Sequence, residues 1–512
     1  MTAIPIYFEL PANLTVKKFI NKLGKQANLQ IVTQQDTIKT FYDSFDWRLY
    51  RANIICEFNH SKITSQLALT NMNSGYTLAK QEMQHVPCFS HLLTNGKVKN
   101  IVSPELDMRA LLPLCHLPYQ AYQINVLNTD QKTVLRIQIN EYEFLNNRIQ
   151  LMPLKGYEKA HQKIANVLKN KLEIPPASCL VLDEALKQQG RKPKDYSSKL
   201  AIQLTPKMRT DKACQLIYKH LLQAIQINEA GTIADTDSEF LHDFRVAVRR
   251  TRAGLSQIKN ILPADVTAKY VAFFAWLGQI TGPTRDLDVY LLSYPQYQEA
   301  LPLTLRNDLA PLHDFLIQKQ KHAQKELTSK LQSSQYNNNL LAWEAFLNEA
   351  LPKKDKATGS HTNQSIKQLA DIRIWKVYQR VLKEGRQIND NSPAESLHDL
   401  RKTCKKLRYL MEFFQSLYPQ DEIKNAIKAL KGFQSVLGDF QDYEIQETSI
   451  KQFSTEMMSN QVPSSTLLAM GVLVQYLDTM RCNARTHFTE QFTLFVQTEN
   501  KTMFKKLFAT KA

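Results

Sequence analysis

A twelve-residue segment occurs twice in this chain. From Leu241 it reads L-H-D-F-R-V-A-V-R-R-T-R, and from Leu397 it reads L-H-D-L-R-K-T-C-K-K-L-R, an offset of 156 residues. Self-similarity constrains a fold more than composition does, because each copy has to make the same local structure. Both copies follow helix-start chemistry. Thr236 is followed three residues on by Glu239, and Ser392 by Glu395 with Pro393 between them, so each pair predicts a capping box with its histidine six residues after the N-cap.

On a helix of 100° per residue, with the histidine at zero, His242, Arg245, Arg249 and Arg252 fall at about 0°, 300°, 340° and 280°. They make one stripe. Phe240, Phe244, Val248, Thr251 and Leu255 fall between about 160° and 240°, an apolar face suited to a bundle core. The second copy has the same layout, with His398, Arg401, Lys405 and Arg408 in the stripe and Leu400, Cys404, Leu407, Met411 and Phe414 on the apolar side. Arg250, Lys402 and Lys406 lie beside the stripes and widen the basic surface.

Like charges at i,i+4 destabilise a helix by roughly 0.2–0.5 kcal/mol per pair, a cost that a bound polyanion would remove. The residue types suit phosphate: Arg grips its oxygens bidentately, Lys supplies a point charge, and His adds a donor whose charge grows as pH falls. A single basic helix face can be no more than a solvated surface, and a single histidine can be structural. Two copies at matched spacing weigh against both alternatives. A second element repeats less closely: Leu277-Gly278 precedes Arg285-Asp286-Leu287-Asp288, and Leu437-Gly438 precedes Asp439 and Asp442. These acidic residues are expected to pair with the basic ones rather than to hold a divalent ion, for which the ligand set is too small.

At 512 residues the chain exceeds what one core supports, which predicts several domains. Residues 1–195 read as β-rich: Leu135, Ile137 and Ile139 alternate with Arg136, Gln138 and Asn140, Arg148–Met152 is similar, and the Phe41–Phe58 and Tyr76–Leu78 stretches suit sheet. Helices are expected around Val16–Gln26 and Tyr157–Lys171, and Gly190–Lys199 has the composition of a linker. Residues 205–512 read as all-helical, in halves of about 205–350 and 365–512, with a mobile polar loop expected over Lys353–Gln364. The fold class expected is therefore multidomain α+β.

The formal net charge of +17 calls for acidic partners. It does not place the site, because residues 1–200 carry 25 Lys/Arg against 16 Asp/Glu and the remainder carries 40 against 32. Seven cysteines without a C-x-x-C pair are read as buried thiols. The first residues lack a signal-peptide pattern, and the most apolar run, Leu467–Val474, is too short for a membrane span, so a cytoplasmic protein with no membrane partner is expected. The chain has no G-x-x-x-x-G-K-[ST], H-E-x-x-H or G-x-S-x-G motif.

With the duplicated histidine helix and the R-D-x-D segment in hand, residues 205–512 resemble the CHAD family (conserved histidine, α-helical domain). The resemblance implies two pseudo-symmetric helical bundles facing across a basic cavity that binds inorganic polyphosphate. The contacts it implies are His242, Arg245, Arg249 and Arg252, with His398, Arg401, Lys405 and Arg408 opposite, and it suggests association with polyphosphate granules. The N-terminal part resembles a CYTH domain, a β-tunnel that acts on triphosphates with divalent metal, through Phe41-Tyr42-Asp43-Ser44-Phe45-Asp46-Trp47-Arg48-Leu49.

Of that family's E-x-E-x-K start only Glu9 remains, the late strand reads Arg148-Ile149-Gln150-Leu151-Met152 without alternating glutamates, and Cys56-Glu57-Phe58 replaces a basic pair. Metal-dependent phosphoryl chemistry needs several converging oxygen ligands, so this domain is read as a degenerate, non-catalytic relative with no metal and no cofactor.

The function expected is non-catalytic binding of inorganic polyphosphate. A metal-dependent inorganic triphosphatase is the first alternative and a nucleic-acid-binding protein the second. The latter is disfavoured because single-strand binders interleave aromatics with the basic track. Here Phe240, Phe244 and Phe414 lie on the apolar faces, and only Tyr409 is near a stripe.

Overall fold

The computed structural model describes residues 5–259, 261–351, 364–389, 391–459 and 461–509. The chain divides into two compact units, Met1–Ser198 and Lys199–Ala512. All but the last residue of the loop expected over Lys353–Gln364 lies outside the described residues.

In the first unit eight strands form one antiparallel sheet: β1 (Ile6–Leu10), β2 (Asn28–Asp43), β3 (Ile54–Ser61), β4 (Ser65–Asn71), β5 (Thr77–Glu82), β6 (Leu112–Leu127), β7 (Thr133–Tyr142) and β8 (Asn147–Pro153). Their order is β1-β8-β7-β6-β2-β3-β4-β5. Alternation decides which face each residue takes. Leu135, Ile137 and Ile139 of β7 and Ile149 and Leu151 of β8 are wholly buried with Phe8 of β1. Covering helices join the same core, α1 (Val16–Gly24) through Phe19 and Leu23 and α4 (Glu158–Asn166) through Ile164.

The other face is polar, and several of its side chains pair with one another. Lys39 Nζ meets Glu57 Oε2 at 2.8 Å, Asn59 donates to Glu57 at 3.2 Å, Tyr119 donates to Asn59 at 3.1 Å, and Gln150 donates to the Tyr7 hydroxyl at 2.9 Å. Tyr7 in turn donates to the Gly75 carbonyl at 3.4 Å, which brings β1 to the β4–β5 turn. Gly75 has φ +67°, and a Cβ there would stand 3.0 Å from the Tyr7 ring, so both backbone and space require glycine.

Between β2 and β3 the sheet expected over Phe41–Phe58 is interrupted by the short helix α2 (Arg48–Arg51). The cause is Asp43, whose buried carboxylate accepts the N–H groups of Ser44, Leu49 and Tyr50 at 2.7, 2.9 and 2.8 Å and closes the chain into a turn. The helices α3 (Lys97–Leu106) and α5 (Val181–Gln188) complete the unit. Gly190–Lys199 forms no helix or strand, yet it is not a free linker. Asp195 accepts from Trp47 Nε1 at 2.8 Å, and Tyr196 is buried with its ring 4.7 Å from that of Phe45.

The second unit is helical: α6 (Thr210–Ile233), α7 (Ser238–Gln257), α8 (Ala264–Ile280), α9 (Gly282–Ala300), α10 (Ala310–Leu331), α11 (Ser334–Asn348), α12 (Ile366–Arg386), α13 (Ala394–Phe414), α14 (Gln420–Met458), α15 (Ser464–Phe495) and α16 (Thr498–Phe508). The 156-residue offset extends far beyond the twelve-residue segment: added to the starts of α6, α7 and α8 it gives the starts of α12, α13 and α14. Where α8 breaks into α9 at Gly282-Pro283, α14 runs on through Gly438-Asp439, because proline lacks the N–H that continues a helix. The relation is reciprocal at the helix starts. Thr210 N donates to Gln364 O at 3.2 Å and Ile366 N to Met208 O at 2.9 Å, so the offset matches donor with donor and acceptor with acceptor.

The hydrophobic cores cut across the repeats rather than separating them. One combines α6, α7, α8, α11 and the end of α10 with α12, α13, α16, the first half of α14 and the end of α15, and the other combines α9 and the rest of α10 with the first half of α15 and the second half of α14. Cys56, Cys115, Cys214 and Cys404 are buried as expected. Cys88, Cys179 and Cys482 are exposed, the first two in loops and the third on a polar side of α15.

Candidate functional site

Two helix starts differ from the capping boxes read in the sequence. Asp237, not Thr236, caps α7, accepting from Glu239 N at 3.0 Å and Phe240 N at 3.2 Å, since its carboxylate is a stronger acceptor than a hydroxyl. Pro393 is the cap position of α13, and Ser392 accepts instead from Asn389 N at 2.9 Å. Each histidine therefore sits five residues after its cap, again in register.

The faces follow the helical phase. Phe240, Phe244, Val248, Thr251 and Leu255 of α7 are buried, as are Leu400, Cys404, Leu407, Met411 and Phe414 of α13. This leaves the basic stripes on the other sides, with Arg252 and Lys402 exposed and His242, Arg245, Arg249, Arg250, His398, Arg401, Lys405, Lys406 and Arg408 half-buried. The helices α7 and α13 pack against each other, and this brings the stripes together.

Charge reports how close they come. Burial lowers the Arg401 guanidinium below its ordinary value; Arg249 from the other helix lowers it further and Asp442 opposes. Lys405 is pushed down to about 7, first by burial and then by Arg401, Arg249 and Arg408, again against Asp442. Arg245 is lowered by burial, with Asp286 opposing and Arg249 and Arg285 adding. Arg249 Nε is buried and makes no hydrogen bond among the described residues. Crowded cations with an unused donor favour an external anion.

Behind each stripe lies an acidic row, on α9 for the first repeat and α14 for the second. Arg401 donates through Nη1 to Gln441 at 2.5 Å and through Nη2 to Asp442 at 3.1 Å, and His398 Nε2 lies 2.7 Å from Glu444 Oε2. Arg245 Nη1 donates to the Gly278 carbonyl at 3.1 Å and to Thr281 Oγ1 at 2.7 Å. Arg285 reaches the Ser238 carbonyl at 3.3 Å. Burial raises Asp288 to about 6, and Gln320 donates to it at 3.2 Å. Burial also raises Asp439, with Asp442 adding to the effect.

The structure corrects the alignment of this acidic element. Pairing Gly278 with Gly438 is four residues out of register. Gly282 is the counterpart of Gly438, and a Cβ on either would stand 3.8 or 3.9 Å from Arg245 or Arg401 respectively. In the 156-residue frame Arg285, Asp286 and Asp288 match Gln441, Asp442 and Glu444. Gln441, Glu444 and Thr281 were not singled out from sequence, although G-x-x-R-D-x-D set against G-x-x-Q-D-x-E would have shown the first two.

Not every basic residue near the stripes is open. Arg250 Nη2 meets Glu412 Oε2 at 2.8 Å, and Lys402 pairs with Asp399 at 3.0 Å on the surface. Tyr409 is buried with the Arg408 guanidinium 5.3 Å from its ring centre, so its face is not presented for base stacking. In the β-rich unit Glu9 is tied to Arg148 at 3.4 Å and to Asn146 at 2.5 Å. Among the described residues no group of three or more His, Cys, Asp and Glu is placed to hold a metal ion.

Residues 216–451 match the model of the family described as "CHAD domain". This segment of the helical unit is a CHAD domain. Among solved structures, the CHAD domain of Ricinus communis is 24% identical over 56% of this chain and 94% of its own, with a TM-score of 0.45. PptA from Streptomyces chartreusis is 14% identical over 56% of this chain and 100% of its own, with a TM-score of 0.44. A Hippeastrum protein described as an adenylyl cyclase with a dominant triphosphatase activity is 14% identical over 38% of this chain and 100% of its own, with a TM-score of 0.29. No curated protein sequence matches the chain. Among the described residues, no helix is long and apolar enough to cross a membrane.

Proposed function

We propose that the CHAD domain binds inorganic polyphosphate without catalysing a reaction, through His242, Arg245, Arg249 and Arg252 of α7 and His398, Arg401, Lys405 and Arg408 of α13. Lys402 and Lys406 flank this face, and Arg250 braces the two helices through Glu412. The observation that carries the reading is the packing of α7 against α13, which sets Arg249 near enough to Arg401 and Lys405 for its charge to act on both. A linear polyanion supplies many negative charges without bases, and the face has no open aromatic platform for bases. In the β-rich unit Glu9 is engaged by Arg148, so no observation there favours the triphosphatase reading.

The test is a salt-titrated binding assay of the full-length chain with long-chain polyphosphate, competed by mixed-sequence DNA. Beside it stands a variant with Arg245, Arg249, Arg401 and Arg408 changed to Ala. Tight binding that weakens steeply with salt, resists DNA and is lost in the variant is the expected result. Equal preference for DNA, or undiminished binding by the variant, would overturn the reading.

A further inference from the structure

The two halves of the basic face are built from matched residues but are not electrostatically equal. In the second repeat the chain supplies its own anions. Asp442 lies on Arg401 at 3.1 Å with its side chain 57% exposed, and Glu444 lies on His398 at 2.7 Å. Glu412, 3.9 Å from Arg408 and 2.8 Å from Arg250 of α7, is shared between the halves and does not distinguish them.

In the first repeat the matching positions do something else. Arg245 is held by neutral acceptors, the Gly278 carbonyl and the Thr281 hydroxyl, which itself donates to the Leu277 carbonyl. Asp286, the counterpart of Asp442, makes no ion pair with Arg245 among the described residues, although its charge is felt there. Asp288, the counterpart of Glu444, is one methylene shorter and is bonded to Gln320 of α10, which also reaches Asp235 at 3.2 Å.

Arg245 is fixed in place by neutral oxygens, with Asp286 and Asp288 acting on it without direct contact, whereas Arg401 is held directly by a carboxylate. A phosphate arriving at Arg245 gains a charge-assisted contact without displacing a carboxylate from the guanidinium. At Arg401 it has to displace Asp442, which then remains nearby as a like charge. The duplication thus leaves Arg245 without a direct carboxylate contact among the described residues and Arg401 with one.

Resting on the polyphosphate reading, we propose that the α7 half, headed by Arg245, is the primary phosphate anchor. Asp442 and Glu444 are internal anions that occupy the α13 half until a long chain displaces them. They are specificity-determining residues: a short oligophosphate is satisfied by the α7 half alone, and only a chain that spans both halves engages Arg401 and His398.

The experiment compares tripolyphosphate with long-chain polyphosphate on the full-length protein by titration calorimetry. Arg245→Ala is expected to weaken tripolyphosphate binding about tenfold or more, and Arg401→Ala to leave it within about twofold, while both weaken long-chain binding. Asp442→Asn with Glu444→Gln, which keeps the shapes and removes the charges, is expected to strengthen tripolyphosphate binding about tenfold. Equal losses of tripolyphosphate binding from Arg245→Ala and Arg401→Ala, or no gain in the Asn/Gln variant, would overturn the inequality while leaving polyphosphate binding intact. Failure of the parent chain to bind long-chain polyphosphate would instead overturn the reading beneath it, and the inference with it.

Discussion

Arg250 on α7 and Glu412 on α13 meet at 2.8 Å across the contact between the two repeats, with 14% and 11% of their side chains exposed. The pair fixes the separation of the two helices that carry the basic stripes, and it has no counterpart at the matching positions, Lys406 and Ser256. A mostly buried ion pair adds little over a well-packed apolar pair but is costly to break from one side.

Glu412→Ala is therefore expected to destabilise the helical unit by roughly 2–3 kcal/mol, because Arg250 keeps its charge and loses this carboxylate. Arg250→Met combined with Glu412→Leu should recover most of that loss. Urea denaturation midpoints of the single and double variants check the pattern, and a double variant less stable than the single one would contradict it.

Polyphosphate binding should weaken as pH rises from about 7, because Lys405 loses its proton in the free protein at about that value and a bound polyanion favours the charged form. The complex then takes up a proton, which calorimetry in buffers of different ionisation enthalpy would detect. Lys405→Arg should flatten the pH profile above 7, since guanidinium stays charged. For folding the sign is reversed. The unfolded chain binds this proton more tightly than the folded one, so between pH 7 and the ordinary lysine range the Lys405 contribution to stability rises with pH.

In the β-rich unit, Lys39→Met should cost about 3 kcal/mol by removing the direct ion-pair partner of Glu57, which acts on Tyr7, Tyr119 and Tyr142. Burial raises Glu57, but Lys39 and the hydrogen bonds from Lys39 and Asn59 outweigh it, so its net shift is downward. Its contribution to stability is therefore present above the unfolded carboxylate value and is lost as pH falls through the lower folded value. Hydrogen exchange of the β2 and β3 amides should show both effects, with protection lost early in Lys39→Met and at acid pH in the parent.

Much of this architecture was legible because its signals are local. The apolar faces of α7 and α13 follow from helical phase alone, and each residue placed on them by counting is buried. β7 and β8 followed from alternation in the same way. The local signals failed where two groups compete for one role, as at the start of α7, where Asp237 displaced Thr236 as cap, and between β2 and β3, where Asp43 turned the chain. Cys88, Cys179 and Cys482 show a related limit, since a residue type carries a tendency to be buried and its neighbours decide whether it is.

By itself the sequence determined that two matching helices each carry a cationic stripe opposite an apolar one, because spacing along a helix fixes direction around its axis. Only the tertiary structure decided what each cation meets. Gln441, Asp442 and Glu444 lie some forty residues from the side chains they hold, and Glu412 lies 162 residues from Arg250. Contacts over such separations depend on how helices cross rather than on the order of residues. That is why two nearly identical stripes could be read from the chain while the difference between them could not.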